Sequence, residues 1–82
     1  MLVLPIKKRL LYYLRTHGLE EKFEKQRMLF EINPYHPSLN LELLEPKRLR
    51  YFSFRVDRKY RAVFIFIKPE MVEIIDINNH YR

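Results

Sequence analysis

The last third of the chain carries three apolar runs of β-strand length, near residues 50–56, 60–67 and 71–77. Short polar segments at Asp57-Arg58-Lys59 and Lys68-Pro69-Glu70 separate the runs. This pattern predicts consecutive antiparallel strands joined by tight turns. Two arginines, Arg55 and Arg61, stand inside the apolar runs, where a charge is costly unless it meets a partner. Their placement therefore constrains how the strands pair.

Two registers are possible for the first two of these strands. A three-residue turn from Asp57 to Lys59 places Arg55 directly opposite Arg61. A two-residue loop at Arg58-Lys59 instead places Arg55 opposite Ala62 and points Arg61 to the other face. The two registers differ by one residue, which reverses the face of every side chain on one strand.

We favour the three-residue turn because it gives the first strand a consistent apolar face. Phe52, Phe54 and Val56 then point toward the helices, and Ser53 shares the opposite face with the arginines. Two like charges directly across a strand pair are destabilising. This register therefore predicts that an anion or a carboxylate lies between the two arginines.

The first half of the chain predicts two helices. Ile6, Leu10 and Leu14 recur at four-residue spacing and indicate an amphipathic helix over residues 6–17, with Gly18 as its C-terminal cap. A second helix is predicted over residues 20–32, burying Leu19, Phe23, Phe30 and Met28.

The segments outside these helices and strands are less regular. Residues 1–4 are either a short strand or a disordered start, and residues 39–44 are a connecting segment or a strand. The predicted fold class is α+β, with an N-terminal helical hairpin packed on a three- to four-stranded antiparallel sheet.

Length and composition exclude several classes of protein. The 82 residues predict one domain spanning residues 1–82. The chain has no cysteine, and its histidines (His17, His36 and His80) have no metal-ligand spacing, so we expect no disulfide, metal or cofactor. No apolar run approaches the length of a membrane span and no signal peptide is visible, which predicts a cytoplasmic protein.

Positive charge is concentrated in the middle of the chain, which has a net charge of +6. Seven of its sixteen basic residues fall between residues 47 and 61, where Asp57 is the only acidic residue. Such clustering is typical of a polyanion-binding surface, although a solvated basic face is the alternative. The seven are Lys47, Arg48, Arg50, Arg55, Arg58, Lys59 and Arg61.

Four segments in this order resemble the RelE/ParE superfamily of toxins from toxin–antitoxin pairs. They are the helical hairpin ending in Asn33-Pro34-Tyr35-His36-Pro37-Ser38-Leu39, the strand from Tyr51 to Val56, the strand start Tyr60-Arg61-Ala62-Val63, and the late strand closing on His80. The resemblance covers nearly the whole chain after Ile6. It implies a RelE-like fold, similar to microbial ribonucleases.

Within the superfamily, the stretch 42–66 is most similar to the YoeB-type ribonucleases. The resemblance places Glu42 at that family's glutamate, Arg61 at its arginine, and His80 and Tyr81 at its terminal pair. Arg55 matches a second basic residue of the cleft. Glu45 is near enough to exchange with Glu42 in an alignment. The chain departs from the pattern in its shortened or absent first strand and in the extra Arg82.

The resemblance implies a metal-independent endoribonuclease that cleaves mRNA on the ribosome. Glu42 would take the 2′-hydroxyl proton, His80 would protonate the leaving 5′-oxygen, and Arg61 with Arg55 would stabilise the phosphate charge. Tyr81 would stack on a base or orient the phosphate. Long-range attraction for the RNA backbone would come from Lys47, Arg48, Arg50, Arg58 and Lys59.

Structural alternatives exist for each of these residues. Glu42 could be a solvated carboxylate pairing with Lys47, Arg61 could bind the C-terminal carboxylate, His80 could be an ordinary terminal residue, and Tyr81 could be a core aromatic. Functional alternatives are a ParE-like inhibitor of DNA gyrase and an inactive relative that only binds RNA or antitoxin. The expected partners are a cognate antitoxin, the ribosome and mRNA, without a membrane, and the chain would be a monomer or dimer depending on the antitoxin complex.

Overall fold

A computed structural model describes residues 1–79 as two helices packed on one five-stranded sheet. The sheet order is β1-β5-β4-β3-β2. No helix within the described residues is long and apolar enough to cross a membrane. In chain order the elements are β1 (Leu2–Val3), α1 (Lys8–Thr16), α2 (Glu20–Ile32), β2 (Glu42–Leu43), β3 (Phe52–Arg55), β4 (Arg61–Lys68) and β5 (Met71–Asn78).

The predicted α+β class is confirmed, but the sheet has one or two strands more than predicted. Strands β2 to β5 pair antiparallel in sequence order, whereas β1 pairs parallel to β5. The amides of Leu2 and Leu4 donate to the carbonyls of Glu70 and Val72 at 2.8 and 2.9 Å. Strands of two residues, such as β1 and β2, are too short to show a period-two pattern in the sequence.

Gly18 ends α1 as predicted and reverses the chain into α2. Its φ of +65° lies in the left-handed region that glycine enters without steric cost. The amide of Leu19 donates to the carbonyl of Leu14 at 2.8 Å, and the amide of Gly18 donates to that of Arg15 at 3.2 Å. These are the two hydrogen bonds of a Schellman cap. Leu14 and Leu19 are both buried there, so the cap also fixes the angle between the helices.

Stacked phenylalanines join α2 to one face of the sheet. The ring of Phe30 lies 5.2 Å from that of Phe54 on β3 and 5.0 Å from that of Phe64 on β4. Phe23 lies 6.2 Å from Phe54. Since strand side chains alternate between faces, packing these rings under the helices leaves the other face of β3 and β4 available for polar side chains.

One predicted core residue of α2 is wrong. Met28 is 54% exposed, and Gln26 occupies the buried position instead. The buried positions 19, 23, 26 and 30 follow the spacing of one helix face, and residue 28 lies off that face. The Gln26 amide donates to the carbonyls of Ser38 and Arg55 at 3.1 and 2.9 Å, which satisfies its polar atoms in the core.

Candidate functional site

Strand register gathers Glu42, Ser53 and Arg61 on the sheet face opposite the helices. Glu42 lies directly across from Ser53, and Ser53 directly across from Val63. Arg61 precedes Val63 by two residues, so its side chain emerges on the same face. A long arginine side chain reaches such a diagonal neighbour across a strand pair.

Arg61 is held almost entirely inside the protein by contacts to the β2–β3 side of the sheet. It is 6% exposed. Its Nε donates to Ser53 Oγ at 2.8 Å and lies 3.4 Å from Glu42 Oε1. One terminal nitrogen donates to the carbonyls of Ser53, at 3.2 Å, and of Asn40. Glu42 contacts this buried charge while remaining 46% exposed at its own side chain.

Asn40 presents its carbonyl to Arg61 from a left-handed backbone conformation. Its φ is +45° and it follows a short 3-10 turn over Pro37–Leu39. Asparagine tolerates this region better than most residues do. The sequence analysis did not identify Asn40, because a contact made through a main-chain carbonyl across 21 residues leaves no signal in side-chain type or spacing.

The predicted pairing of the two arginines is confirmed. Arg55 lies directly across from Arg61, and the amide of Val56 donates to the carbonyl of Tyr60 at 2.9 Å, which closes a three-residue turn. Glu42 is the carboxylate beside the buried arginine. Arg55 itself is exposed, with its carbonyl bound by Gln26 beyond the end of β2. Only one of the two strand arginines is therefore part of the buried network.

Asp57 shapes the turn between β3 and β4. Its Oδ1 accepts from the amides of Lys59 and Tyr60, both at 2.8 Å, and its Oδ2 lies 3.4 Å from Nζ of Lys22 on α2. Burial raises the pKa of the Asp57 carboxyl, but the hydrogen bonds from Tyr60 and Lys59 and the contact with Lys22 outweigh it, so the pKa lies below its ordinary value.

Replacing Asp57 with alanine is expected to lower the free energy of unfolding by about 1–3 kcal/mol, because two turn amides lose their acceptor. Asp57→Asn keeps an acceptor oxygen and removes the charge. A carboxyl with a depressed folded-state pKa stabilises above its unfolded-state pKa of about 4, and this contribution is lost as pH falls through the folded-state value.

Urea unfolding at a series of pH values checks both statements. The stability gap between the wild type and Asp57→Asn should be full near neutral pH and close progressively below about pH 4. A gap that stays constant down to about pH 2 would contradict the assignment of the depressed pKa to Asp57.

A cavity of about 90 Å³ lies beside the arginine network. Glu42 and Arg61 form one side of it, and exposed cations of the β3–β4 turn form the other. None of the ion pairs within residues 1–79 involves those cations. A carboxylate, a buried arginine and solvated cations thus face one polar space. Its lining residues are Asn40, Glu42, Arg55, Asp57, Arg58, Lys59 and Arg61.

The basic cluster of the sequence divides into two groups at opposite ends of β3. Arg55, Arg58, Lys59 and Arg61 line the cavity where β3 ends. The remaining three, Lys47, Arg48 and Arg50, precede β3 in and after a 3-10 turn, where the guanidinium of Arg50 lies 5.2 Å from the ring centre of Phe52. The two groups are contiguous in sequence but separated by the length of a strand.

Two of the predicted site residues, His80 and Tyr81, lie outside the described residues. Glu45 is exposed and does not line the cavity, so Glu42 is the glutamate that the fold places next to Arg61. The alternative pairing of Glu42 with Lys47 is not observed among residues 1–79. His36 accepts from the amide of Ser38 at the start of its 3-10 turn, a local structural contact.

Comparisons with known proteins add one finding. No protein-family model matches the sequence, and no curated protein sequence matches it. Among solved structures, a YoeB/ParE toxin from Agrobacterium tumefaciens is similar over 99% of this chain and 100% of its own, with a TM-score of 0.70 and 21% sequence identity. The resemblance to RelE/ParE toxins is therefore confirmed at the level of the fold: this chain has the fold of a YoeB/ParE toxin.

Proposed function

We propose that the chain is the toxin of a toxin–antitoxin pair and acts as a ribosome-dependent, metal-independent endoribonuclease that cleaves mRNA. The observation that carries the proposal is the contact of Glu42 with the buried Arg61, beside the exposed Arg55, Arg58 and Lys59. A carboxylate and several cations around one polar cavity meet the needs of phosphodiester cleavage, which are a proton acceptor and stabilisation of negative charge. The fold shared with a YoeB/ParE toxin supports the toxin assignment.

Glu42 is the proposed general base. Its carboxylate is half-exposed, so an RNA 2′-hydroxyl can approach it from the cavity. The contact with Arg61 Nε orients one carboxylate oxygen and leaves the other to accept a proton. Glu42 accepts the proton of the 2′-hydroxyl while the 2′-oxygen forms a bond to phosphorus.

Arg61 and Arg55 are the proposed source of charge stabilisation for the phosphate. Arg61 is fixed by hydrogen bonds before any substrate arrives, so its charge needs no reorganisation during the reaction. Burial strengthens its electrostatic effect on a nearby anion. Arg55 lies across the strand pair and reaches the same cavity from its exposed side.

His80 and Tyr81 complete the proposed reaction on the strength of the family resemblance. His80 gives a proton to the 5′-oxygen as its bond to phosphorus breaks, and Tyr81 stacks on a base or orients the phosphate. The products are a 2′,3′-cyclic phosphate and a 5′-hydroxyl. The proton taken by Glu42 and the proton given by His80 balance the step.

The remaining cations are assigned to the RNA backbone. Arg58 and Lys59 stand at the cavity and attract phosphates next to the cleaved bond. The second group, Lys47, Arg48 and Arg50, lies at the far end of β3 and is placed to contact RNA of the ribosome itself.

A cognate antitoxin is the proposed protein partner. The net charge of +6 suits an acidic segment that folds on the surface of the toxin between helices and sheet. The proposed site of action is the cytoplasm, where ribosomes translate the target mRNA.

Expression of the chain with a translated reporter mRNA tests the proposal. New 5′ ends in the reporter should depend on translation, and Glu42→Gln should reduce their rate of formation by about a hundredfold or more, the usual effect of losing a general base. Glu45→Gln is the matched control, since Glu45 is exposed and away from the cavity.

Two other outcomes would point elsewhere. Growth arrest with loss of gyrase supercoiling and no mRNA cuts would replace the nuclease with a gyrase inhibitor. A chain that binds RNA or antitoxin but neither cuts mRNA nor arrests growth would be an inactive relative.

A further inference from the structure

We propose that Lys22 and Lys25 of α2 form, with Arg55 and Arg58, a second RNA-binding groove that extends the cleavage site across the β3–β4 turn. The inference rests on the proposed function, because it assigns the path of the same RNA strand beyond the cavity. It concerns a surface formed by a helix, which the linear basic cluster of residues 47–61 does not include.

A separate cavity of about 340 Å³ lies on this side of the turn. It shares Arg55, Asp57 and Arg58 with the smaller cavity that contains Glu42 and Arg61. The shared residues form the ridge between the two cavities, so a strand lying in one continues into the other over Arg55 and Arg58. The remaining lining residues are Lys22, Lys25, Gln26, Ser38 and Val56.

The charge of the groove is strongly positive. Four cations line it, and Asp57 is the only carboxylate among its lining residues. The Asp57 oxygens are already engaged by two turn amides and by Lys22, so they face the protein's own donors. No carboxylate within residues 1–79 forms an ion pair with Lys25, Arg55 or Arg58.

The spacing of the lysines fits successive backbone contacts. Lys22 and Lys25 are three residues apart on α2, which places them as neighbours on one helix face. Both are exposed at the groove and their amino groups have long flexible stems. Such lysines bind phosphates as point charges without demanding a fixed geometry, which suits RNA of any sequence.

The lining favours RNA over an acidic amphipathic peptide. Val56 is the one apolar residue among the lining residues of this groove, and it is 4% exposed. A peptide helix that docks through an apolar face would therefore find almost nothing to bury there. An RNA backbone requires cations and hydrogen-bond donors, and the groove offers both.

Binding of 2′-O-methyl oligouridylates tests the groove, because they have no 2′-hydroxyl and cannot be cleaved by the proposed reaction. We compare the wild type with the double variant Lys22→Gln, Lys25→Gln, using oligomers of about four and about twelve nucleotides, the range of single-strand site sizes. The matched control is Lys8→Gln, Lys68→Gln, which removes the same charge from exposed lysines that line neither cavity.

The groove predicts a selective loss of affinity. The Lys22, Lys25 variant should bind the longer oligomer about tenfold more weakly near 0.15 M salt, with a salt slope smaller by about 1.4, or about 0.7 for each phosphate contact. Its affinity for the shorter oligomer, and both affinities of the control variant, should stay near the wild-type values. Lys25→Gln alone should show about half of the change in slope and leaves the contact of Lys22 with Asp57 in place.

The other outcomes overturn different statements. A Lys22, Lys25 variant that binds the longer oligomer with wild-type affinity and slope would remove the groove but leave the proposed function standing. A wild-type protein that binds neither oligomer nor ribosome-bound mRNA would overturn both. A variant that loses affinity for a polyglutamate peptide while binding RNA normally would make this surface a site for an acidic partner.

Discussion

Replacing Arg61 with alanine is expected to lower the rate of mRNA cleavage by about a hundredfold or more and the free energy of unfolding by about 2–4 kcal/mol. The first effect follows from the loss of the charge that contacts Glu42 and lines the cavity. The second follows because the hydroxyl of Ser53, which is fully buried, and two carbonyls lose a charged donor.

The exposure of Glu42 limits the cost of the substitution. Removing one partner of a buried ion pair costs about 3–5 kcal/mol when the other charge is left buried. Glu42 is 46% exposed at its side chain, so water solvates it when Arg61 is gone. The stability loss should therefore come mainly from the neutral acceptors and lie below the upper end of that range.

Thermal unfolding and cleavage in a purified translation system measure the two effects separately. Leu10→Ala is the control for stability, because Leu10 is buried on α1, away from the cavity, and its truncation costs about 2–5 kcal/mol. It should unfold as easily as the Arg61 variant yet still cleave mRNA. Arg61→Lys keeps the charge but has fewer directed donors, so it should recover part of the activity. Cleavage by Arg61→Ala at the wild-type rate would remove Arg61 from the mechanism.

The pairing of Arg55 with Arg61 was predictable because independent constraints agree on it. The turn residues, the apolar alternation of β3 and the position of the arginines all require the same register. Ser53 followed from parity alone. The burial of Arg61 together with the exposure of Arg55 was not predictable, since it depends on how far β2 extends along β3.

The exchange of Gln26 for Met28 in the core shows where residue type misleads. Hydrophobicity favoured methionine, but position on the helix decided which side chain is buried. Glutamine is accommodated because Ser38 and Arg55 offer carbonyls that no strand partner satisfies. The spacing of residues 19, 23, 26 and 30 was the available signal.

Proximity along the chain also misled the interpretation of charge. The cations between residues 47 and 61 form one cluster in the sequence and two groups in the fold, because β3 carries the chain from one end of the sheet to the other. Lys22 reaches the second group although it is 35 residues from Asp57. Such a contact depends on how α2 packs over the sheet, which spacing within the sequence does not report.

The packing of α2 should be most sensitive at Phe30. Phe30→Ala is expected to lower the free energy of unfolding by about 3–5 kcal/mol, because a fully buried ring is removed and a cavity is left between Phe54 and Phe64. A chain of 82 residues has a total stability of about 4–12 kcal/mol. The substitution therefore removes between a quarter and all of it.

Urea unfolding of Phe30→Ala and Phe66→Ala separates burial from aromatic character. Phe66 is 43% exposed and its ring contacts Phe52 and Phe64 at the end of the sheet that the helices leave uncovered, so its truncation should cost less than about 1.5 kcal/mol. Equal losses in the two variants would contradict the placement of Phe30 as the central contact between α2 and the sheet. Because α2 also carries Gln26 and Lys22, which hold β3 and the turn, loosening this contact should reduce RNA cleavage in Phe30→Ala even at temperatures where most molecules remain folded.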